Sequence, residues 1–385
     1  MVGLSEMMLS KYKAILCCSF CFMLLNSCAA APGIVTDVTT ECIPVGKIRP
    51  SGARESGKLV MDGAESYLLD LTTWAKQHIP HKSLGQKDIV SNIKVSPDGT
   101  KLVFIESHYD EQRGDFLADH LELLQGGLQQ EVTSWRADFG TLLRWFGDDW
   151  LLFSPDSSNG TILLFNPVDG TTKEVTGTFP NMATLPPLPT WYQAANPLPI
   201  YDSSLSLAVY LEQDQVMRFV LWDIRSKTAL WKKDISDPGI QPQWSPVGDG
   251  FVFAVPDGHV FDFYRVDRSG HEERLTSLAE RYPSAYMGAF SWSPNGKEIA
   301  FWLDLHNDPA ALHPTLAVFD LDRREIVDTC LGAGGRMPVW SPDGRQIAIE
   351  VQQGDSGRTA ALVVDLASHS AFQLDEQVHP LGWVK

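Results

Sequence analysis

Along most of this chain one pattern of polar and apolar positions returns. A polar turn containing Pro and Gly is followed by a short apolar run, a polar break, and a second apolar run that ends near an acidic residue. Three segments carry it almost unchanged: Val95-Ser96-Pro97-Asp98-Gly99-Thr100-Lys101-Leu102-Val103-Phe104, Trp292-Ser293-Pro294-Asn295-Gly296-Lys297-Glu298-Ile299-Ala300-Phe301 and Trp340-Ser341-Pro342-Asp343-Gly344-Arg345-Gln346-Ile347-Ala348-Ile349. A fourth, Trp244-Ser245-Pro246-Val247-Gly248-Asp249-Gly250-Phe251-Val252-Phe253, is the same unit with one residue inserted. The turn predicts a hairpin: Pro presets φ, Asp or Asn accepts backbone hydrogen bonds, and Gly takes the left-handed conformation. The apolar positions after it predict a half-buried strand.

Spacing sets the architecture. Ser245, Ser293 and Ser341 are each 48 residues apart, and the 149 residues from Ser96 to Ser245 leave room for two more units. Both are present in weakened form, as Arg144-Trp145-Phe146-Gly147-Asp148-Asp149-Trp150-Leu151-Leu152-Phe153 and Tyr201-Asp202-Ser203-Ser204-Leu205-Ser206-Leu207-Ala208-Val209-Tyr210. The second apolar runs, such as Leu316–Leu321, Leu362–Leu366 and Phe219–Ile224, predict a third strand, and Glu273–Thr276 or Glu131–Thr133 a short fourth. Four strands per unit make the blade of an all-β propeller.

Closure of the ring decides the number of blades. The last residues, His379 to Lys385, read as the innermost strand of a unit that then stops. Gly57–Met61 and Ser66–Leu71 read as the second and third strands of a unit that lacks its first, with a fourth near Ala75–Ile79. One strand from the chain's end and three from its beginning would form a shared blade and leave no strand edge open. This favours seven blades. Six blades with residues 57–80 as a separate arm is the alternative.

The repeated Trp-Ser-Pro-Asp-Gly-Lys/Arg-x-Ile-Ala-Phe unit resembles the TolB-like propeller repeat, which also occurs in the propellers of prolyl oligopeptidases and dipeptidyl peptidases. The resemblance covers residues 57–385 and implies fold more than function. It departs from TolB in one respect: the stretch from Cys28 to Gly57 is too short for the α/β domain that precedes the TolB propeller. No Gly-x-Ser-x-Gly elbow accompanies the repeat, which sets the peptidase reading aside.

The N-terminal pattern is of another kind. Lys11 and Lys13 precede an apolar run, Ala14–Leu25, of signal-peptide length, and no second apolar run could serve as a transmembrane helix. Leu25-Asn26-Ser27-Cys28 resembles a bacterial lipobox, which implies cleavage before Cys28 and acylation of that cysteine. The resulting division is a signal peptide at 1–27, a lipidated tether at 28–56 and the propeller at 57–385. Ala29 after Cys28 implies sorting to the outer membrane, so the expected location is the periplasmic side of the bacterial envelope. The expected membrane contact is through lipid alone.

Charge and cysteine content sharpen this picture. The net charge of −17 disfavours nucleic acid as a partner. Of six cysteines, Cys17, Cys18 and Cys21 leave with the signal and Cys28 carries lipid. Cys42 and Cys330 remain, a pair that an oxidising compartment permits to form a disulfide.

Candidate chemistry is sparse. Gly354-Asp355-Ser356-Gly357 has the composition of a serine-protease nucleophile segment, but Arg358 follows it and a hairpin loop is the better reading. Arg113-Gly114-Asp115 lies in a polar loop. His306 near Asp304 and Asp308, and His78 near His81, are the places where a metal could be considered. Trp145, Trp244, Trp292 and Trp340 share a repeat position that suits packing between blades. Trp74, Trp191 and Trp231 lie off that register and are freer to line a surface. No catalytic, cofactor-binding or metal-binding residue is assigned, and no cofactor is expected. The expected function is an envelope scaffold that binds a protein or peptide through loops or the channel mouth. The alternative is a metal-dependent polysaccharide lyase or hydrolase, prompted by the similar repeats of oligogalacturonate lyase.

Overall fold

A computed structural model describes residues 33–46, 57–79, 89–110, 112–136, 142–154, 163–174, 179–181, 199–236, 240–305, 314–332, 336–353 and 358–385. These form seven sheets, each with four antiparallel strands in radial order. Blade 1 takes His379–Val384 as its innermost strand, followed by Lys58–Asp62, Tyr67–Asp70 and Lys76–His78. Blade 2 runs from Ile89 to Arg136, blade 3 from Leu142 to Glu174 and blade 4 from Ile200 to Ile235. Blade 5 runs from Ile240 to Arg274, blade 6 from Tyr286 to Gly332 and blade 7 from Val339 to Glu376.

The recurring turn is held from within. In blade 7 the Ser341 hydroxyl donates to Asp343 Oδ1 at 2.6 Å and accepts the Gln346 N–H at 2.9 Å. Ser96 and Ser293 repeat the arrangement with Asp98 and Asn295. In blade 4 Asp202 replaces the serine. Its Oδ1 accepts the N–H groups of Ser206 and Leu207, both at 2.8 Å, and its Oδ2 accepts from Arg268 at 2.9 Å.

In blades 1, 2, 4, 5, 6 and 7 the second strand of the hairpin is buried on both faces, where the sequence pattern predicts half-burial. Glu298–Asp304 has every residue after Glu298 buried. The reason is that each blade is sandwiched. Ile299 and Phe301 enter a cluster with Phe263 of blade 5, whereas Ala300 and Trp302 enter one with Ile347 and Leu362 of blade 7. Seven such clusters fill the seven seams. A strand between two packed neighbours reads as a continuous apolar run, as in sheets covered on both sides.

The ring closes on the shared blade. His379–Val384 pairs antiparallel with Lys58–Asp62, with Leu59 opposite Trp383. Gly57 permits the approach: its φ is 97°, and a Cβ there would stand 2.4 Å from the Val384 carbonyl oxygen.

The reading of residues 28–56 as a tether is corrected over residues 33–46, which are a strap on the ring. Val35 bridges Thr276, Val38–Thr40 pairs in parallel with Ile326–Asp328 of blade 6, and Val45–Gly46 pairs in parallel with Ala371–Phe372 of blade 7. Exposed outer strands present unpaired backbone groups, and an extended Thr- and Val-containing segment satisfies them. Cys42 is bonded to Cys330 on the outer strand of blade 6, with Cα atoms 4.9 Å apart. Residues 1–32, Cys28 among them, lie outside the described residues.

Candidate functional site: the central channel

The innermost strands are positioned by tryptophan. Trp145, Trp292, Trp340 and Trp383 each donate their indole N–H, at 3.2 Å, to a backbone carbonyl of the preceding blade's inner strand. The acceptors are Lys94, Gln243, Ser291 and Val339 respectively. Trp244 does the same to Ile200 at 2.9 Å. In every case the acceptor is the residue immediately before the tryptophan position of its own blade. Two seams use other contacts. Val95 packs against Gly382, where a Cβ would come within 2.5 Å of Val95 Cγ2. Tyr201 meets Phe146 edge-on, with centroids 5.5 Å apart.

The residue at this position of each inner strand stands at the channel edge. In blades 2 and 3 it is a cation: Lys94, whose carbonyl the Trp145 indole holds, and Arg144, whose carbonyl has no such donor among the described residues and whose side chain is held by Gln241. In blade 5 it is Gln243, whose Nε2 donates to the Phe290 carbonyl at 2.6 Å and lies 3.6 Å from Met337 Sδ. Arg144 Nη1 donates to Gln241 Oε1 at 3.0 Å, a contact from blade 3 to blade 5. Arg336, in the segment leading into blade 7, pairs with the buried Glu350 at 3.2 Å. On the blade 1 side, His379 Nε2 and Asp62 Oδ2 are 2.9 Å apart, and Ser66 also donates to Asp62.

The electrostatics follow from this crowding. Burial pulls the Arg144 guanidinium down to about 10, still protonated at neutral pH. Burial also lowers Lys94, and Arg144 and Arg336 lower it further, against an opposing pull from Asp62. Asp62 is held below the usual carboxylate range, chiefly by its bond to His379. Lys94 and Arg144 thus lie close together, with Arg144 weakening the hold of Lys94 on its proton, inside a chain of net charge −17.

The residues singled out in the sequence fall elsewhere. Trp145, Trp244, Trp292 and Trp340 lie at the seams. Trp231, expected to be free to line a surface, packs between blades 4 and 5, with Phe251 and Phe253 at 5.6 and 5.5 Å and its indole N–H on Glu272 at 2.9 Å. Its place on an outer strand hid this, because a neighbouring blade covers that strand's inner flank. Trp74 is 41% exposed and lies edge-on to Phe372. Trp191, His81, His306, Asp308 and residues 354–357 lie outside the described residues. Gln353 and Arg358, on either side of that segment, stand opposite each other on paired strands of blade 7. His78 is exposed near Glu65, and Arg113 lies in a hairpin turn of blade 2. Among the described residues no group of three His, Cys, Asp or Glu side chains is placed to hold a metal.

Lys94, Arg144 and Arg336 were not legible as a site. The available signal was the residue before each tryptophan position, basic in two successive units and neutral in the others.

No family model matches the chain, and no curated protein matches it. Solved structures do. TolB from Acinetobacter baumannii is 14% identical over 92% of this chain and 98% of that one, with a TM-score of 0.45. An oligogalacturonate lyase in complex with manganese is 12% identical over 87% of this chain and 85% of its own, with a TM-score of 0.49. The β-propeller domain of the Trilobed protease from Pyrococcus furiosus is 11% identical over 74% and 82%, with a TM-score of 0.46. The chain is a seven-bladed propeller. Its similarity to TolB is one of fold. Among the described residues no helix is long and apolar enough to cross a membrane.

Proposed function

We propose that this chain is an exported binding protein of the bacterial envelope, held to the membrane by lipid on Cys28. Its propeller binds a protein or peptide partner through the channel and the loops around it. The observation that carries this reading is the channel itself: Lys94 and Arg144, projected from successive blades into a ring whose strands are locked seam by seam. A rigid scaffold with polar groups converging in a concavity suits recognition. The Cys42–Cys330 bond agrees with an oxidising compartment, and the Leu25–Cys28 segment supports lipidation.

In-cell crosslinking tests it. An affinity tag belongs in the Gly126–Gly127 turn, where a Cβ added to either glycine would meet nothing within 4 Å, because the C-terminal strand closes the ring. The expected result is one envelope protein attached reproducibly to the tagged chain. Turnover of a polysaccharide by the purified protein, abolished by one loop substitution, would overturn the reading in favour of an enzyme.

A further inference from the structure

Among the described residues, two cations stand in the channel without a counter-ion. Lys94 and Arg144 hold the same repeat position in adjacent blades, and the Trp145 indole bonded to the Lys94 carbonyl at 3.2 Å fixes one inner strand against the other. The polar partner of Arg144 is a neutral amide, Gln241 Oε1 at 3.0 Å. Neither cation is ion-paired among the described residues. The acidic group acting on Lys94 is Asp62, which is already engaged by His379 at 2.9 Å and by Ser66 at 2.7 Å. Three buried carboxylates elsewhere are matched by a cation: Asp202 meets Arg268, Asp262 meets Arg274 and Glu350 meets Arg336.

Placing two like charges together where solvent is restricted raises the energy of the folded state. An arriving anion removes that penalty, and its binding draws on the strain the fold already carries. The shape of the site selects the anion. Nη1 of Arg144 is held by Gln241, which leaves the Nε and Nη2 edge with two parallel N–H donors. That spacing matches the two oxygens of a carboxylate, and the Lys94 ammonium adds a second point charge.

We propose that Lys94 and Arg144 form a carboxylate-binding site in the central channel, filled by a small organic acid or by an acidic side chain of a bound peptide. This rests on the reading of the propeller as a binding scaffold and names the chemistry it selects. The surrounding negative surface repels anions at long range, so capture depends on the local field of the channel.

The test is calorimetric titration of the full-length protein, purified in detergent, with succinate and with hexaglutamate. Succinamide and hexaglutamine are the uncharged counterparts. The expected result is one site per chain for an acid probe and no binding of the amides. Affinity should fall by about tenfold or more in Arg144→Gln and in Lys94→Met. Thermal unfolding of both variants verifies that the ring is intact. Succinate binding assigns the site to free acids; hexaglutamate binding alone assigns it to acidic peptides. Equal binding of acid and amide, no binding of either acid, or wild-type affinity in both variants would overturn the proposal. If Arg144→Gln retains the crosslinked partner while no acid binds, the carboxylate site fails and the scaffold reading stands.

Discussion

Trp383 Nε1 donates to the Val339 carbonyl at 3.2 Å, so the seam made by the last strand of the chain is locked by the same bond as four seams inside it. The end of the chain is thus a working part of the ring, although its partners Lys58–Asp62 lie more than three hundred residues away in sequence.

Trp383→Phe keeps most of the packing and removes the donor. It should cost about 1–2 kcal/mol, and Trp383→Ala about 3–5 kcal/mol. Urea unfolding followed by tryptophan fluorescence and circular dichroism measures both. An alanine variant no less stable than a surface substitution would show that the terminal strand does not hold the ring.

The strap depends on its disulfide. Cys42→Ser and Cys330→Ser should each cost about 2–4 kcal/mol, since the bond constrains a very long loop of the unfolded chain. The double variant should cost no more than either single one, because all three remove one bond. Hydrogen exchange should rise at Val38–Thr40, whose pairing with Ile326–Asp328 is what the bond secures. A double variant whose loss is the sum of the two would mean that the cysteines act separately.

Asp202 gives the fold an acid-sensitive turn. Burial would raise its carboxyl, but Ser204, the Leu207 N–H and Arg268 outweigh it and hold the group below its ordinary value. A depressed folded value stabilises the native state above the unfolded carboxylate range, near 3.9. That contribution is lost as pH falls from there through the folded value. Asp202→Asn should therefore cost about 1–3 kcal/mol at pH 7, and the gap from wild type should close under acid conditions. Urea midpoints at pH 7 and pH 3 decide the point; a gap that widens in acid contradicts the assignment.

Lys94→Met should make the protein more stable, by about 0.5–2 kcal/mol, since it removes a cation that has no ion-pair partner among the described residues. Differential scanning calorimetry reads this directly. A lower midpoint would mean that Lys94 has a structural partner.

Most of the fold was legible because the hairpin physics is local. Ser341, Asp343 and Gly344 lie within four residues and specify one turn, and the spacing from Ser245 to Ser293 to Ser341 multiplies it. The shared blade could be read because His379–Lys385 lacks a hairpin and Gly57–Met61 lacks a first strand. The strap could not, because Val38–Thr40 has no apolar period of its own and is ordered by edges that exist only after blades 6 and 7 form. Trp231 escapes the sequence pattern for a related reason: its burial comes from Phe251 and Phe253 of the next blade, not from its own strand. The channel cations stayed hidden because Arg144 reaches Gln241 across an intervening blade, a proximity that ring geometry creates and linear spacing does not express.

The central claim, that the channel receives a partner, is tested most directly by site-specific photo-crosslinking in living cells. One probe replaces Met337 on the channel wall, which is 47% exposed, and the other replaces Leu128 on an outer hairpin, which is 78% exposed. The prediction is one envelope protein attached at position 337 and none at 128, with the product lost in Arg144→Gln. Identical products at both positions, or none at 337, would contradict it.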